Sequence, residues 1–355
     1  MILQFFVGLV LVAGLAVSVR RASARHDMNF QLVILWFTGV ALLAAGLVVL
    51  LRQDLLIETI GISTSAAATV AIGVLLTAIA FRLSKIQGST ERMARETAIN
   101  VASLQIDQLP PEARPRSPRE PLIVIPAFNE AETIGPVIGK LNSLKLRCVV
   151  VNDGSSDRTS QVARNAGAWV IDLPTNLGIG AALRVGWVAA DRLGYESAVQ
   201  CDADGQHDPD QIPALVQRAQ TDEVHLMIGS RFAGEHGDEQ YEASLIRRSA
   251  MRILSSHASR VAGVRLTDAT SGFRCISQPL LHEFSRAYPI QYMESYESLI
   301  LSSRAGWTAA ELPARMGQRL GGKPSHGPLA SMVFMFRALS VRAIGSSIAI
   351  AQRPN

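Results

Sequence analysis

Charged and apolar positions divide the chain into two parts with different patterns. Before residue 85, three long stretches carry no charged side chain: Met1–Val19, Phe30–Leu51 and Thr59–Phe81. Each provides the ~20 residues that a helix needs to cross the hydrocarbon layer of a bilayer. We therefore expect three transmembrane helices, with two spans and one interfacial helix as the alternative. A cleaved signal peptide is disfavoured, because no basic residue precedes the first stretch.

Basic side chains that follow these stretches indicate their orientation. Three arginines follow the first stretch and four basic residues follow the third: Arg20, Arg21, Arg25, Arg82, Lys85, Arg92 and Arg95. Loops rich in Lys and Arg stay in the cytoplasm. We therefore expect the N-terminus outside the cell and the chain after Phe81 in the cytoplasm.

From residue 121 the pattern changes to short apolar segments that alternate with helical periodicity. It predicts strands at Leu122–Ile125, Cys148–Val151, Trp169–Asp172, Ala198–Cys201 and Val224–Ile228, and helices that begin near Ala131, Asp157, Ile179 and Pro209. This alternation is typical of an α/β domain with a mostly parallel sheet and helices on both faces. Such sheets bind ligands beyond the carboxyl ends of their strands, so functional residues are expected there.

These patterns divide the chain into four parts. We expect a three-helix transmembrane domain over 1–83, a juxtamembrane helix and a stiff, extended proline-rich linker over 84–120, the α/β domain over 121–328, and an amphipathic membrane-interface helix with a tail over 329–355. A fourth span is the alternative for the last part, where Arg337 and Arg342 interrupt the apolar run.

Composition limits the classes of function. The chain of 355 residues has a net charge of +4, and 18% of its residues are charged, against roughly 25% in soluble domains. The chain is therefore not disordered, and its charge is too small to indicate a nucleic-acid partner. The cysteines Cys148, Cys201 and Cys275 are odd in number and far apart, which indicates a reducing compartment without a disulfide framework.

The strongest chemical signal is the segment QCDADGQHDP over residues 200–209, at the end of the fourth predicted strand. Asp202 and Asp204 are two residues apart, so they face the same side of an extended backbone. Two close carboxylates repel each other unless a cation or a shared proton lies between them. The segment therefore predicts a Mg²⁺ or Mn²⁺ site completed by substrate phosphates, with a structural turn as the alternative.

Acidic residues also follow the first and second predicted strands. Glu130 and Asp153 occupy positions where a carboxylate can accept hydrogen bonds from a nucleotide base. Ser155, Ser156 and Asp157 are better interpreted as helix caps.

The glycine-rich segment NLGIGAAL over residues 176–183 resembles the dinucleotide-binding pattern GxGxxG without its third glycine. It follows the third predicted strand instead of opening the fold, and a second acid follows Asp202. A dehydrogenase is therefore a disfavoured alternative.

Basic residues occur at three places downstream. Arg231 follows the fifth predicted strand, Arg248 lies in a helical stretch, and Arg319 begins a glycine-rich segment that contains Ser325. Guanidinium groups suit phosphate, so we interpret these places as phosphate-binding. The alternative for each arginine is a solvated surface side chain.

Seven segments occur in order along the chain: IPAFNE, VNDGSSD, NLGIGAALRVG, DADGQH, GSRF, DATSGFR and RLGGKPSH. With them, residues 121–329 resemble a family-2 glycosyltransferase of the GT-A fold, of the polyprenyl-phosphate, dolichol-phosphate mannosyltransferase-like type. The N-terminal part is similar to small three-span membrane proteins found beside or fused to such transferases. The resemblance implies a Rossmann-like α/β catalytic domain preceded by an all-α transmembrane domain.

The resemblance also assigns roles to residues. Nucleotide binding is implied for Pro126, Phe128, Glu130, Asp153, Asp202 and Ala203. Asp204 and Gln206 would hold Mg²⁺ or Mn²⁺, with Asp202 and Asp204 as the catalytic pair. Arg231, Arg248, Arg319 and Ser325 would meet the donor or lipid phosphates. Phe128 stands where family members often have tyrosine.

The implied activity is a membrane-bound, inverting transfer of a sugar from a UDP- or GDP-linked donor to a polyprenyl phosphate on the cytoplasmic leaflet. A lipid phosphate is already ionised and needs positioning more than a general base. If a hydroxyl of a lipid-linked sugar is the acceptor instead, Asp268 and Glu297 are candidate bases, with structural pairing as the alternative for both. A catalytically silent scaffold is a third hypothesis.

The expected partners are the donor, the acceptor and the bilayer, without nucleic acid; a homo-oligomer is compatible with the sequence.

Overall fold

The computed structural model describes residues 64–233, 245–290, 294–317 and 350–353. Within them the chain forms two compact units, one that ends at Ala94 and one that begins at Arg95. Helix α1, Thr64–Ser103, continues without interruption through the domain boundary expected after residue 83. The juxtamembrane helix predicted from residue 84 is therefore part of a longer helix.

In the part of the chain that the structure describes, no helix combines the length and the apolar character that crossing a bilayer requires. The first two apolar stretches of the sequence lie outside the described residues, as do residues 329–349 of the expected amphipathic helix. The third stretch enters them at Thr64, in α1. The predicted three-span domain is thus not confirmed.

The second unit is built, in its described residues, on a sheet of seven strands. These are β1 Leu122–Ala127, β2 Arg147–Asn152, β3 Trp169–Asp172, β4 Ser197–Gln200, β5 Leu226–Ser230, β6 Arg274–Ser277 and β7 Ala309–Pro313. Their order across the sheet is β3-β2-β1-β4-β6-β5-β7. Strand β6 runs antiparallel to β4 and β5, and the other pairs are parallel. The predicted α/β fold with a mostly parallel sheet is confirmed, and β6 and β7 add to the five predicted strands.

Helices cover both faces of this sheet. They are α2 Ile134–Ser143, α3 Thr159–Asn165, α4 Ile179–Leu193, α5 Ile212–Thr221, α6 Leu245–Ala262, α7 Leu280–Arg286 and α8 Glu294–Arg304. Along β1, Leu122 and Val124 belong to one apolar cluster, which includes residues of α4. Ile123 and Ile125 belong to a second cluster, which includes residues of α2 and α5. A strand that is buried on both faces is apolar at every position, and this explains the uninterrupted apolar runs in the sequence.

The proline-rich segment before β1 is not the extended linker that the sequence predicts. It contains two 3-10 turns, Leu104–Gln108 and Pro111–Ala113. The hydroxyl of Tyr195 donates to the carbonyl of Ala113 at 2.8 Å, and the guanidinium of Arg147 donates to the carbonyl of Glu112. Side chains of the α/β unit thus donate hydrogen bonds to backbone carbonyls of this segment, and these bonds hold the segment against the unit.

Candidate active site

Most of the predicted site residues that the structure describes lie at one edge of the sheet, which we call the carboxyl edge. The carboxyl ends of the parallel strands β1, β2, β4 and β5 meet there, followed by Glu130, Asp153, Asp202 and Arg231. Because β6 runs the opposite way, the residues that precede it reach the same edge; Arg274, its first residue, pairs with Gln200 at the end of β4. The strand ends therefore bring these predicted residues to a single edge.

The loops that follow β1 and β2 are joined by hydrogen bonds. The backbone N–H of Asn129 donates to the hydroxyl of Ser155 at 2.9 Å, and Oδ1 of Asn129 accepts from the N–H of Ser156 at 2.9 Å. Asn129 has a φ of 56°, which Asn adopts more readily than most residues. Phe128, just before it, is 45% exposed. These bonds fix the loop that presents Phe128 and Glu130 at the edge.

Asp157 lies two residues before the start of α3, and its carboxylate accepts from the first N–H of that helix. Its Oδ1 accepts from the N–H of Thr159 at 2.9 Å, and its Oδ2 accepts from the N–H of Ala131 at 3.2 Å. Burial opposes ionisation of this carboxyl, but the hydrogen bonds outweigh it and hold the pKa of Asp157 below its usual value. The hydroxyls of Ser155 and Ser156, which were predicted with it as helix caps, instead contact Asn129, so the capping prediction is wrong for the two serines.

Asp153 is buried and supports a neighbouring loop. Its Oδ1 accepts from the N–H of Leu177 at 2.7 Å, and its Oδ2 accepts from the N–H of Gly178 at 2.9 Å. Burial raises the pKa of Asp153, and these two hydrogen bonds only partly offset that rise. The carboxylate assigned to the nucleotide thus holds the glycine-rich turn that begins α4.

The other residues assigned to the nucleotide divide by exposure. Pro126, within β1, and Ala203 are buried, whereas Glu130 and Asp202 are partly exposed. Oε2 of Glu130 accepts from the hydroxyl of Thr133 at 2.8 Å. Side-chain contacts with a ligand at this edge are therefore open to Phe128, Glu130 and Asp202.

The segment after β4 forms a tight turn. Oδ1 of the buried Asp204 accepts from the N–H of Gln206 at 2.9 Å. Gly205, between them, has a φ of 78°, a conformation that favours glycine. The carbonyl of Gln206 accepts from the N–H of Gly317 at 2.8 Å, which ties the turn to the chain beyond β7. The carboxylate of Asp204 and the backbone of Gln206 are thereby held in one turn.

Asp202, at the start of this turn, forms hydrogen bonds with two buried side chains. Its Oδ1 accepts from Nε2 of Gln200 at 3.2 Å, and its backbone N–H donates to Nδ1 of His207 at 3.0 Å. Nε2 of His207 lies 3.6 Å from Oδ2 of Asp202, whose side chain remains 32% exposed. Asp202 therefore presents a fixed carboxylate at the surface of the edge.

The donor atoms of this turn fit a divalent ion that is shared with a substrate. Among the described residues, no group of three or more His, Cys, Asp and Glu side chains is placed to hold a metal ion. The turn instead offers the carboxylates of Asp202 and Asp204 and the amide oxygen of Gln206. Hard oxygen donors suit Mg²⁺ and Mn²⁺, and Mg²⁺ sites take one or two carboxylates with water and substrate phosphates in the remaining positions.

Comparison with known proteins decides the family. The model for glycosyl transferase family 2 matches residues 122–284. Over 198 residues, the chain is 30% identical to the uncharacterized protein MJ1222 of Methanocaldococcus jannaschii, which covers 55% of this chain and 81% of that protein. The chain belongs to glycosyl transferase family 2. It is therefore a glycosyltransferase.

Two further relatives of this transferase have named activities. It is 28% identical over 212 residues to the UDP-N-acetylglucosamine–dolichyl-phosphate N-acetylglucosaminyltransferase of Methanococcus voltae, covering 54% of this chain and 84% of that one. It is also 28% identical over 211 residues to the undecaprenyl-phosphate mannosyltransferase of Micrococcus luteus, covering 56% and 84%.

Arg231 of the transferase forms an ion pair that the sequence alone does not show. Its Nε and Nη2 donate to Oδ2 and Oδ1 of Asp268 at 2.6 and 2.8 Å. Burial opposes ionisation of Asp268, but Arg231 outweighs it and lowers the pKa of this carboxyl. Because a carboxylate with a lowered pKa is a weaker base, this geometry favours structural pairing over the general-base interpretation of Asp268.

The segment just before β6 is held by two residues that sequence reasoning missed. The buried Arg274 donates to the carbonyls of Ser271 at 2.6 Å and Ala269 at 2.9 Å. Oε2 of Glu311, in β7, accepts from the N–H of Thr267 at 2.7 Å. Their signal in the sequence is weak, because neither residue directly follows a predicted strand.

The structure does not test the roles predicted for the remaining site residues. Arg319 and Ser325 lie outside the described residues, and the side chain of Arg248, in α6, is not described. Glu297, the second candidate base, is buried in α8. Glu294, at the start of the same helix, was not anticipated: burial raises its pKa, and the negative charge of Asp202 adds to the rise.

Proposed function

We propose that this glycosyltransferase moves a sugar from a UDP- or GDP-linked donor to a polyprenyl phosphate, with inversion at the anomeric carbon. The observation that carries the proposal is the turn after β4, where Asp202, Asp204 and Gln206 gather oxygen donors at the carboxyl edge of the sheet. The two relatives with named activities support a lipid phosphate as the acceptor, because both names contain one.

The turn after β4 would receive the diphosphate of the donor. Asp204 and Gln206 would hold Mg²⁺ or Mn²⁺, and the carboxylate of Asp202 would add its negative charge beside the ion. Asp202 would also meet the nucleotide, together with Phe128 and Glu130. A bound divalent ion would neutralise the charge that develops on the departing nucleoside diphosphate. Because Asp202 and Asp204 are already fixed by hydrogen bonds, little reorganisation is needed when the donor binds.

A lipid monophosphate removes the need for a base. Its second pKa lies near ~6, so at neutral pH its oxygen is already a nucleophile. This oxygen forms the new bond to the anomeric carbon, while the bond from that carbon to the diphosphate oxygen breaks and its electron pair leaves with the nucleoside diphosphate. The pairing of Asp268 with Arg231 supports this scheme over transfer to a sugar hydroxyl, since Asp268 is a weakened base. Arg231, Arg248, Arg319 and Ser325 would steady the phosphates.

A membrane position would bring the soluble donor to the lipid acceptor. We infer it from the three uncharged stretches before residue 82 and the apolar run over 329–350. The distribution of basic residues supports an outside N-terminus and a cytoplasmic catalytic domain. In this arrangement the acceptor phosphate would lie at headgroup depth.

Membranes that contain the full chain test the proposal. They are incubated with radiolabelled UDP- and GDP-sugars, polyprenyl phosphate and Mn²⁺, with Asp204→Ala membranes as the control. A lipid product that is labile to mild acid and absent from the control supports the proposal. Acid-stable transfer to a lipid-linked glycan supports the hydroxyl-acceptor alternative, and no transfer from any donor overturns both.

A further inference from the structure

We propose that Gln200 is a positioning residue that sets the orientation of the Asp202 carboxylate. This inference rests on the proposed function, since it concerns the turn that would receive the metal and the donor. Gln200 is the last residue of β4, and its Nε2 donates to Oδ1 of Asp202 at 3.2 Å. The residues are two apart, so both side chains extend from the same side of the strand end.

The stability of the fold does not explain an amide at position 200. The side chain of Gln200 is 1% exposed, and its Oε1 has no hydrogen-bond partner in the part of the chain that the structure describes. A buried polar atom without a partner is destabilising, so an apolar side chain of the same length would be better tolerated there. Among the described residues, the contact that accounts for an amide at this position is the hydrogen bond to Asp202.

An amide is the right donor for this task. It fixes one oxygen of the Asp202 carboxylate and leaves the negative charge in place, so the carboxylate can still attract a divalent cation. A lysine or arginine at position 200 would hold the same oxygen but compete with that cation for the charge. The partly exposed carboxylate of Asp202 is thereby kept in one orientation.

Neighbouring residues leave room for the hydrogen bond between Gln200 and Asp202. A Cβ added to Gly272, just before β6, would lie 2.7 Å from Nε2 of Gln200 and 3.5 Å from Cε1 of His207. The ring of His207 lies against that of Phe273, with centroids 5.0 Å apart, and fixes the backbone of Asp202 through its Nδ1. His207 thus holds the backbone of Asp202, and Gln200 holds its carboxylate.

Binding of Mn²⁺ alone to the full-length chain, measured by electron paramagnetic resonance, tests the role of Gln200. In Gln200→Met the side chain keeps its length but loses the donor, and we expect the dissociation constant for Mn²⁺ to rise by about 5- to 10-fold, the scale of one typical hydrogen bond. The melting temperature should stay unchanged or rise. A drop in fold stability without a change in Mn²⁺ affinity would instead indicate a structural role and overturn the proposal.

Gln278→Met is the matched control. Nε2 of Gln278 donates to Oδ1 of Asp191 at 3.1 Å, the same pair of groups at nearly the same distance, at a place remote from the carboxyl edge. This variant should bind Mn²⁺ like the unmodified chain. Equal weakening in both glutamine variants would contradict the specific role of Gln200.

A second variant covers the case in which Gln200→Met does not fold. Gly272→Ala displaces the amide from outside, and we expect it to weaken Mn²⁺ binding, whereas Gly139→Ala, where nothing lies within 4 Å of the added Cβ, should not. Asp204→Ala separates the two proposals. If it leaves Mn²⁺ affinity unchanged, the metal site of the proposed function fails; if it abolishes binding while Gln200→Met and Gly272→Ala retain it, only the role of Gln200 fails.

Discussion

Arg231 and Asp268 are joined at two points, with Nε to Oδ2 at 2.6 Å and Nη2 to Oδ1 at 2.8 Å. The pair connects the end of β5 with the segment before β6, across 37 residues of sequence. The carboxylate has no exposed surface, and one fifth of the arginine side chain is exposed. At the carboxyl edge of the sheet, the end of β5 and the segment before β6 are therefore fixed to each other by a largely buried charge pair.

Removing one partner of this pair should be costly. In Asp268→Asn the charge of Arg231 loses its counter-charge, and we expect the free energy of unfolding to fall by about 3–5 kcal/mol, as for other broken buried pairs. Urea titration measures the change. The control is Asp222→Asn, which breaks the surface pair with Arg218 at 2.8 Å and should cost less than about 1 kcal/mol. Equal costs would mean that burial of the Arg231–Asp268 pair is unimportant.

Asp204 should be essential for metal-dependent turnover but not for folding. Asp204→Ala removes a carboxylate of the turn, and we expect transfer with Mg²⁺ or Mn²⁺ to fall at least ~100-fold, the scale of losing a group that stabilises the departing charge. Circular dichroism should be unchanged. Asp210→Ala, which removes an exposed carboxylate that pairs with Lys140, is the control and should keep its activity. Full activity of the unmodified enzyme in EDTA would refute the metal assignment.

Asp153 should control the order of the turn before α4. Asp153→Asn places an amide NH₂ group opposite one of the backbone N–H groups of Leu177 and Gly178, so one of these donors loses its acceptor. We expect a loss of about 1–3 kcal/mol, the cost of one unsatisfied buried donor. Amide hydrogen exchange at Leu177 and Gly178 should accelerate in the absence of any nucleotide. Unchanged protection at both amides would contradict this role.

His225 should make stability depend on pH below neutrality. Burial lowers the pKa of this imidazole, and the positive charge of Arg353 lowers it further. The unfolded chain, with a His pKa near ~6.5, therefore binds more protons than the folded chain once the pH falls below that value. This contribution to the free energy of unfolding is full above the unfolded pKa and is lost as the pH falls through the folded one.

Urea titrations between pH 7 and pH 5 measure this contribution. The unmodified chain should lose stability as the pH decreases, and His225→Gln should lose less over the same interval. Parallel curves for the two proteins would show that His225 does not carry the pH dependence.

Strands β1 to β5 of the sheet could be predicted from the sequence, but β6 and β7 could not. Runs such as Leu122–Ala127 are apolar throughout because both faces are covered, and this pattern is unambiguous. Strand β7, Ala309–Pro313, is only partly buried, and β6 begins with a buried arginine, so neither resembles a strand before folding. The prolines before β1 predicted an extended linker, because the hydrogen bonds that Arg147 and Tyr195 donate to the carbonyls of Glu112 and Ala113 are tertiary contacts.

The same distinction applies to the site. Asp202 and Asp204 could be found because strand ends of a parallel sheet are where ligands bind. The roles of Gln200 and His207 depend on how the turn closes, and the partner of Arg231 lies far along the chain, so spacing gives no indication of either. Local patterns predicted which residues lie at the carboxyl edge, whereas the residues that hold them became visible only in the folded chain.

The register between β4 and β6 determines which residues meet at the carboxyl edge of the sheet. Gln200 pairs with Arg274 across these strands. A slip of two residues, which would keep the same side chains facing inward, would displace the preceding segment by ~7 Å. Gly272 would then no longer leave room for Gln200, and Asp268 would move out of reach of Arg231. Buried side chains of β6, such as Cys275 and Ile276, thus help to set the positions of Gln200, Gly272 and Asp268 at this edge.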